Sequence, residues 1–381
     1  MLNIRHFGCD SVPGTSIFLL PNHNKIFLFY AIPVPKNREH LQFKMLRYFL
    51  LSLLTLVALF AFPMLGRVVI KPQEVLYQTT LGEWIYGEAI HDPQWRFEHR
   101  IYWESRFPRT AFAMLVGAGL SLCGMVFQAL FRNPLATPYT LGVASGASFG
   151  ASLSTMLAGS IFTVFLGQPA AVWFAFGGAM LAMSVVYFLS LSRDVSGEKM
   201  LLAGVAVNFF FASMILFLQF ASDPSQTFRM LRYTMGSFDA ATVGTIWQIG
   251  PIILVGSFAL LFLGRPLNVI VTGNDRAIAL GVNLRQFRTL LFLLTSILVG
   301  AMVAVAGPIG FVGIMVPHIC RFFVGPDHRS LGPAVFLFGA IFLAACDTVA
   351  CSALKVGMLP VRIITSLLGG PFFLVLLIWR K

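Results

Sequence analysis

Apolar runs of about 20 residues recur along the chain from residue 46 onward, and they limit its fold more than any other feature of the sequence. A helix of that length crosses the hydrocarbon core of a bilayer. Of the 381 residues, 57% are hydrophobic and only 11% are charged, whereas a soluble domain carries about 25% charged residues. A soluble globular enzyme is therefore excluded. A transmembrane barrel would show short alternating strands instead, so the sequence predicts an all-α polytopic membrane protein.

Ten membrane-spanning helices are expected, and their even number places both chain ends on one side of the membrane. Residues 1–44 contain Pro13, Pro21, Pro33 and Pro35 but no run long enough to span, and they lack the pattern of a signal peptide. We expect Met45 to be the natural start, residues 1–44 to be an extension, and residues 45–381 to form one transmembrane domain. The predicted spans are 46–65, 111–130, 139–157, 170–191, 200–220, 245–263, 289–306, 309–324, 333–350 and 361–379.

The basic residues orient these helices. The formal charge of +12 needs no nucleic acid to explain it, because Lys and Arg collect in the cytoplasmic loops of membrane proteins. Eleven basic residues lie in or beside the even-numbered connections and at the C-terminus, so these segments are predicted to be cytoplasmic together with both termini. The first connection, which is rich in tryptophan, and the uncharged third connection are predicted to face outward. The cytoplasmic set is Arg132, Arg193, Lys199, Arg265, Arg276, Arg285, Arg288, Arg321, Arg329, Arg380 and Lys381.

The cysteine and histidine pattern gives little support for a metal site or a disulfide bond. The five cysteines form no CxxC pair and have no matching histidine spacing. His318 and His328 are interpreted as hydrogen-bonded residues near helix boundaries and not as ligands. Asp347 is the clearest acid inside an apolar span, and such an acid is a functional candidate by default.

Two local patterns indicate how helices meet and end. Gly142, Gly146 and Gly150 form a tandem GxxxG repeat, in which small residues let helix backbones approach closely. They are interpreted as packing residues. Asn133–Pro134 and Thr137–Pro138 break the backbone between the second and third spans, where Asn133 could cap a helix.

Many ordered motifs make the chain resemble the FecCD-type permeases, the membrane subunits of type II ABC importers for iron siderophores, haem and vitamin B12. The resemblance covers residue 106 to the C-terminus. It implies a fold like that of the vitamin B12 importer permease, acting as a homodimer or a heterodimer. The motifs are RFPRT (106–110), FRNPLATP (131–138), LGVASGASFG (141–150), LAGVA (202–206), MGSF (235–238), ALGV (279–282), GPIGFVG (307–313), PHICR (317–321), DHR (327–329) and GGPFF (369–373).

The same resemblance implies sites for two partners. Arg106 and Arg109 match the pair that receives acidic residues of a periplasmic substrate-binding protein, although interfacial arginines can also snorkel to lipid headgroups. The family's third docking arginine is missing: Cys351 occupies its position, and either Lys355 or Arg362 could replace it. The insert from residue 273 to 281 resembles the loop that couples to the ATPase, which assigns that role to Asp275, Arg276, Ala277, Leu280 and Gly281. Asn133 and Pro134 would shape the inner mouth of the pathway.

The expected function follows from this resemblance together with one absence from the sequence. None of the chain's lysines lies in a GxxxxGK[ST] setting, so the chain is not expected to be an enzyme itself or to bind a cofactor directly. A separate cytoplasmic ABC ATPase dimer would use ATP and Mg²⁺. The expected cargo is an iron siderophore, haem or a cobalamin, with the choice left open, and the alternative is an ion-coupled secondary transporter. The expected location is the bacterial inner membrane, in contact with lipid.

Overall fold

The computed structural model describes residues 38–66, 70–75, 93–157, 170–190, 197–354 and 357–379. Its contacts divide the chain into Met1–Leu50 and Leu51–Lys381. The first unit contributes the beginning of helix α1 to the described residues, and the second unit holds every other element. The predicted extension, residues 1–44, lies mostly outside the described residues, and helix α1 already begins at Arg38.

Fifteen α-helices make up the regular structure of the described residues. A 3₁₀ turn, Phe62–Met64, follows α1, and a π-helical segment, Ile101–Arg106, joins α3 to α4. The helices are α1 Arg38–Ala61, α2 Pro72–Val75, α3 Pro93–Arg100, α4 Phe107–Leu130, α5 Val143–Met156, α6 Ala170–Ser190, α7 Gly197–Phe220, α8 Pro224–Thr234, α9 Val243–Phe262, α10 Gly264–Val271, α11 Asn274–Ala279, α12 Leu284–Ala306, α13 Val312–Val324, α14 His328–Ser352 and α15 Val361–Trp379.

The all-helical membrane fold predicted from the sequence is confirmed. Each of the ten predicted spans contains a helix. Within the described residues, seven helical stretches are long and apolar enough to cross a membrane, and they belong to α1, α3–α4, α6, α7, α9, α12 and α14. Helices α13 and α15 are shorter and apolar, and α5 is the tenth.

Helix α4 is the centre of the larger unit. It is buried along almost its whole length, and α9, α10, α12, α13 and α14 pack around it. At two places its backbone meets another backbone directly. A Cβ added to Gly117 would collide with the carbonyl oxygen of Gly339 on α14, and one added to Gly124 would collide with Gly313 on α13.

Helices α5 and α6 meet in the same way. A Cβ at Gly146 would lie 2.5 Å from the carbonyl oxygen of Gly178, and one at Gly150 would overlap the carbonyl of Phe174. Gly142 does not belong to the helix that carries Gly146 and Gly150. It lies before α5 with φ +86°, and its α-carbon faces Val207 of α7.

Three irregular segments meet inside the bundle, beside the starts of the short helices α5 and α13. Residues 131–142 bring the Tyr139 ring against Gly310, and residues 307–311 bring Pro308 against Gly236, which follows α8. Phe311 has φ +67°, a conformation that is costly for a residue with a side chain. The predicted spans that begin at residues 139 and 309 therefore start too early, because these residues lie in the breaks.

We expect Gly178→Ala to destabilise the protein, because its new methyl group would overlap the Gly146 carbonyl and force α5 and α6 apart. Overpacking of this kind costs about 1–3 kcal/mol. The neighbouring Gly177 has open space around its α-carbon, so Gly177→Ala is the matched control and should be neutral or slightly stabilising. Thermal unfolding in detergent, followed by tryptophan fluorescence, measures the difference. Equal midpoints for the two variants would contradict this account of the α5–α6 contact.

Candidate functional site

An ionic network closes the end of the bundle where α4 begins, called here the Arg109 end. Arg109 donates from Nε and Nη2 to the two carboxylate oxygens of Asp347 on α14, at 2.8 Å each. Its Nη1 donates to Asp239 at 2.8 Å, and Arg232 of α8 donates to the same carboxylate at 2.9 Å. Two arginines and two aspartates therefore balance in charge and join α4, α8 and α14.

The Arg109–Asp347 ion pair is buried, so its role is to hold α4 and α14 together. The side chains are 12% and 5% exposed, respectively, so the Asp347 carboxylate singled out in the sequence is an arginine partner and not an isolated intramembrane acid. Bidentate pairing satisfies both carboxylate oxygens. Removing one member of such a pair leaves an uncompensated buried charge.

Asp239 lies in the connection between α8 and α9, at the edge of this network. Partial burial alone would raise the pKa of its carboxyl group. Hydrogen bonds from Arg232 and Arg109, together with their charges, outweigh that effect and hold the pKa below its usual value. Asp239 therefore stays ionised and keeps the network closed at neutral pH.

Arg106 and Arg109, the pair that the resemblance assigns to docking, have different partners. The Arg109 guanidinium is turned inward, whereas Arg106 donates to the Pro63 carbonyl at 3.3 Å. Arg106 and Cys351 both border a cleft of about 220 Å³ at this end. Cys351 Sγ lies 4.0 Å from Asp347, and Lys355 lies outside the described residues.

Arg362 is bonded to α8 and to the segment before α5. Its Nη1 donates to the carbonyl oxygen of Thr234 at 2.6 Å, and its Nη2 donates to the Tyr139 hydroxyl at 2.8 Å. The guanidinium carbon also lies 5.8 Å from the centre of the Tyr139 ring. This contact of α15 with the end of α8 and with the irregular segment before α5 has no counterpart in the sequence-based site predictions.

The predicted coupling insert is helical, but its apolar residues do not share one face. Helix α11 lies between Gly273, with φ +128°, and Gly281, with φ +82°. Ala277 is fully buried, whereas Ile278 and Leu280 are 60% and 69% exposed. Of the coupling residues that the resemblance implies, Ala277 is therefore enclosed by the subunit, whereas Leu280 is accessible. Arg276 is exposed, and the Asp275 side chain lies outside the described residues.

Asn133 and the two histidines have local structural partners. Asn133 accepts from the backbone of Leu135 at 2.9 Å and shapes the turn after α4, where Pro134 follows it. His328 Nδ1 lies 2.7 Å from the Asn268 side-chain oxygen, and the His318 ring meets Phe372 edge to face. In the part of the chain that the structure describes, no three His, Cys, Asp or Glu side chains gather in a way that could hold a metal.

Comparisons with known proteins agree with this architecture. The family model of the FecCD transport family matches residues 50–379. The hemin transport system permease protein HmuU of Yersinia pestis is 36% identical over 297 residues, which are 78% of this chain and 87% of that protein. The vitamin B12 import system permease protein BtuC of Citrobacter koseri is 36% identical over 280 residues, 72% of this chain and 82% of that protein.

A solved structure shares the fold. It is a metal-chelate type ABC transporter in an inward-facing conformation, and it superimposes with a TM-score of 0.73 at 31% sequence identity. The match covers 87% of this chain and 99% of the solved one. The two chains therefore share a fold over most of their length.

Asp347→Asn should destabilise the protein by about 3 kcal/mol, because Arg109 would lose its buried bidentate partner and would keep only the Asp239 carboxylate, which it shares with Arg232. Glu104→Gln is the control. It breaks the exposed Arg100–Glu104 pair, whose side chains are each 66% exposed, and exposed pairs contribute only about 0–1 kcal/mol. The thermal unfolding midpoint in detergent should fall clearly for the first variant and barely for the second. A similar midpoint for both would mean that the buried pair adds nothing to stability.

Proposed function

The chain belongs to the FecCD transport family, and from that premise we propose that it is the permease subunit of an ATP-driven importer for a metal chelate of the haem or cobalamin type. The observation that carries the proposal is the extent of the similarity, which runs through residues 50–379 and through 99% of a solved transporter chain. The protein is accordingly a multi-pass inner-membrane protein. A second permease copy, an ABC ATPase dimer and a substrate-binding protein complete the proposed assembly.

We place the Arg109 end outward and the end that carries α10 and α11, called here the α11 end, in the cytoplasm. The distribution of basic residues supports this orientation, since Arg265, Arg276 and Arg285 all lie in or beside the α10–α12 connections. Both termini are then cytoplasmic. The alternative of an ion-coupled transporter needs a site for the coupling ion, and Asp347, the acid inside a span, is already neutralised by Arg109.

The binding protein is proposed to dock at the outward end through Arg106. Arg109 contributes indirectly, because its guanidinium is committed to Asp347 and Asp239 and holds α4 and α14 in register beside the cleft. An acidic side chain of the partner would meet Arg106 at the mouth of that cleft. Such rim charges act mainly on orientation and association rate.

At the cytoplasmic end, the proposed contact for the ATPase is the exposed surface of α11 formed by Arg276, Ile278 and Leu280. Its two large apolar side chains are exposed next to a cationic one. Buried Ala277 fastens the helix to the subunit, and its carbonyl accepts from the backbone of Val282 at 3.0 Å. A short helix held in this way can transmit ATPase closure as a rigid body.

The whole proposal is tested by uptake into proteoliposomes that contain the permease with its ATPase and binding protein. We expect haemin or cobalamin to accumulate only when ATP, Mg²⁺ and the binding protein are all supplied. An ion gradient alone should support no uptake. Uptake driven by the gradient without ATP would overturn the proposal in favour of a secondary transporter.

The coupling surface predicts that Ile278→Asp combined with Leu280→Asp prevents the ATPase from copurifying and abolishes ATP-driven uptake, because two charges would replace its apolar centre. Thr272→Asp puts a charge on another exposed residue of the same connection and serves as the control. It should leave both measurements within about twofold of the original protein. Retention of the ATPase by the double variant would move the contact to another part of the cytoplasmic surface.

A further inference from the structure

Arg362 is a cation placed inside the bundle and bonded to neutral groups. Its two hydrogen bonds go to a backbone carbonyl, on Thr234, and to a phenol, on Tyr139. Among the described residues, no carboxylate lies within ion-pair distance of it. Arg109, in contrast, forms ion pairs with two aspartates. The two arginines therefore differ in whether their charge is compensated.

The guanidinium of Arg362 keeps donors for a further partner. Arginine has five N–H groups in a planar fork, and two of them are used by Thr234 and Tyr139. Arg362 and Tyr139 are both partly exposed, so a ligand that reaches this part of the bundle can contact them. The fork matches a carboxylate, which accepts two parallel hydrogen bonds from it.

The position of Arg362 is where the irregular segments meet. Thr234 ends α8, Tyr139 lies in the break before α5 and contacts Gly310, and Gly310 lies in the break before α13. The neighbouring Phe311 adopts φ +67° and packs against Gly369 of α15. Backbone strain of this kind collects at functional sites, and transporters build binding sites where spanning helices are interrupted.

The cluster lies toward the Arg109 end of the bundle. Thr234 follows Arg232 by two residues on α8, and Arg232 donates to Asp239 at 2.9 Å in the network of that end. Tyr233, next to Thr234, donates its hydroxyl to the Val303 carbonyl at 2.6 Å. Partial burial of the Arg362 charge without an opposite charge costs free energy.

We propose that Arg362, positioned by Tyr139 and the Thr234 carbonyl, binds a carboxylate of the cargo during passage, which makes the cargo an anionic chelate that carries carboxylate groups. The proposal rests on the transport function proposed above and narrows its substrate class. The haem type of cargo, with its two propionates, fits this site, and an uncharged chelate does not. Tyr139 has two roles in the proposed site. Its hydroxyl positions Arg362, and its ring offers an apolar surface beside the cation.

A purely structural role is the competing explanation. The Arg362 guanidinium bonds the last carbonyl of α8, and cations stabilise helix C-termini in this way. That role would affect folding whatever the cargo. It predicts no dependence on the charge of a ligand, so ligand charge separates the two explanations.

The test measures equilibrium binding of haemin and of haemin dimethyl ester to the permease–ATPase complex in nanodiscs, by quenching of tryptophan fluorescence. The two probes differ only in their carboxylates. The original protein should bind haemin about tenfold more tightly than the ester, the difference expected for a hydrogen bond to a charged group. Arg362→Gln should abolish this preference without weakening ester binding, and Arg362→Lys should keep most of it.

Two further variants complete the design. Tyr139→Phe removes the hydroxyl that holds Nη2 and should reduce the preference several-fold. Arg329→Gln removes the same charge from an exposed position at the α11 end and should leave the preference unchanged. Thermal midpoints of all variants show whether each complex is folded at the assay temperature.

Equal affinity for the two probes in the original protein would overturn the proposal, as would a preference that survives Arg362→Gln. Failure of the transport function would appear elsewhere, as an absence of ATP-dependent uptake of any cargo in proteoliposomes. The binding preference is measured without ATP and without the binding protein. Its outcome is therefore independent of that result.

Discussion

The contact on which the rest of the structure depends is the direct approach of backbones around α4. Lipid supplies no hydrophobic force between helices, so their association relies on close packing. Gly117 and Gly124 let α4 touch α14 and α13 with no side chain between them. This contact allows α4 to be buried almost throughout, and a fully enclosed helix can hold a charged residue at a fixed place near its end.

Arg109 is that residue, and its position explains why Arg109 and Arg106 have different roles at the outward end. Because α4 and α14 are held together by Gly117 and Gly339, Arg109 meets Asp347 with both of its parallel donors. A pair enclosed in this way is rigid and electrically neutral. Arg106 lies three residues earlier in the chain, bonds the backbone carbonyl of Pro63 and borders the cleft at this end, so we assign the docking charge to it.

Hydropathy predicted the ten helices because apolar length is what a bilayer selects, but it could not predict the elements that lie between them. Helix α8 is short and mixes arginines with apolar residues, so it has no span-like signal. The Asp347–Arg109 pair joins residues 238 positions apart, and no local pattern carries that information. The buried position of Ala277 depends on how α11 packs against the rest of the chain, which the sequence of the insert does not show.

The contrast between the two inward-facing arginines shows how this bundle treats charge. Where rigidity is needed, at Arg109, the structure supplies two carboxylates and leaves the arginine side chain 12% exposed. At Arg362 it supplies a carbonyl and a phenol, which orient the guanidinium but leave its charge uncancelled. A neutral side chain could cap α8 with a smaller desolvation cost. An oriented charge among interrupted helices is consistent with a partner that arrives from outside the chain, and a carboxylate-bearing cargo has the charge and geometry to be that partner.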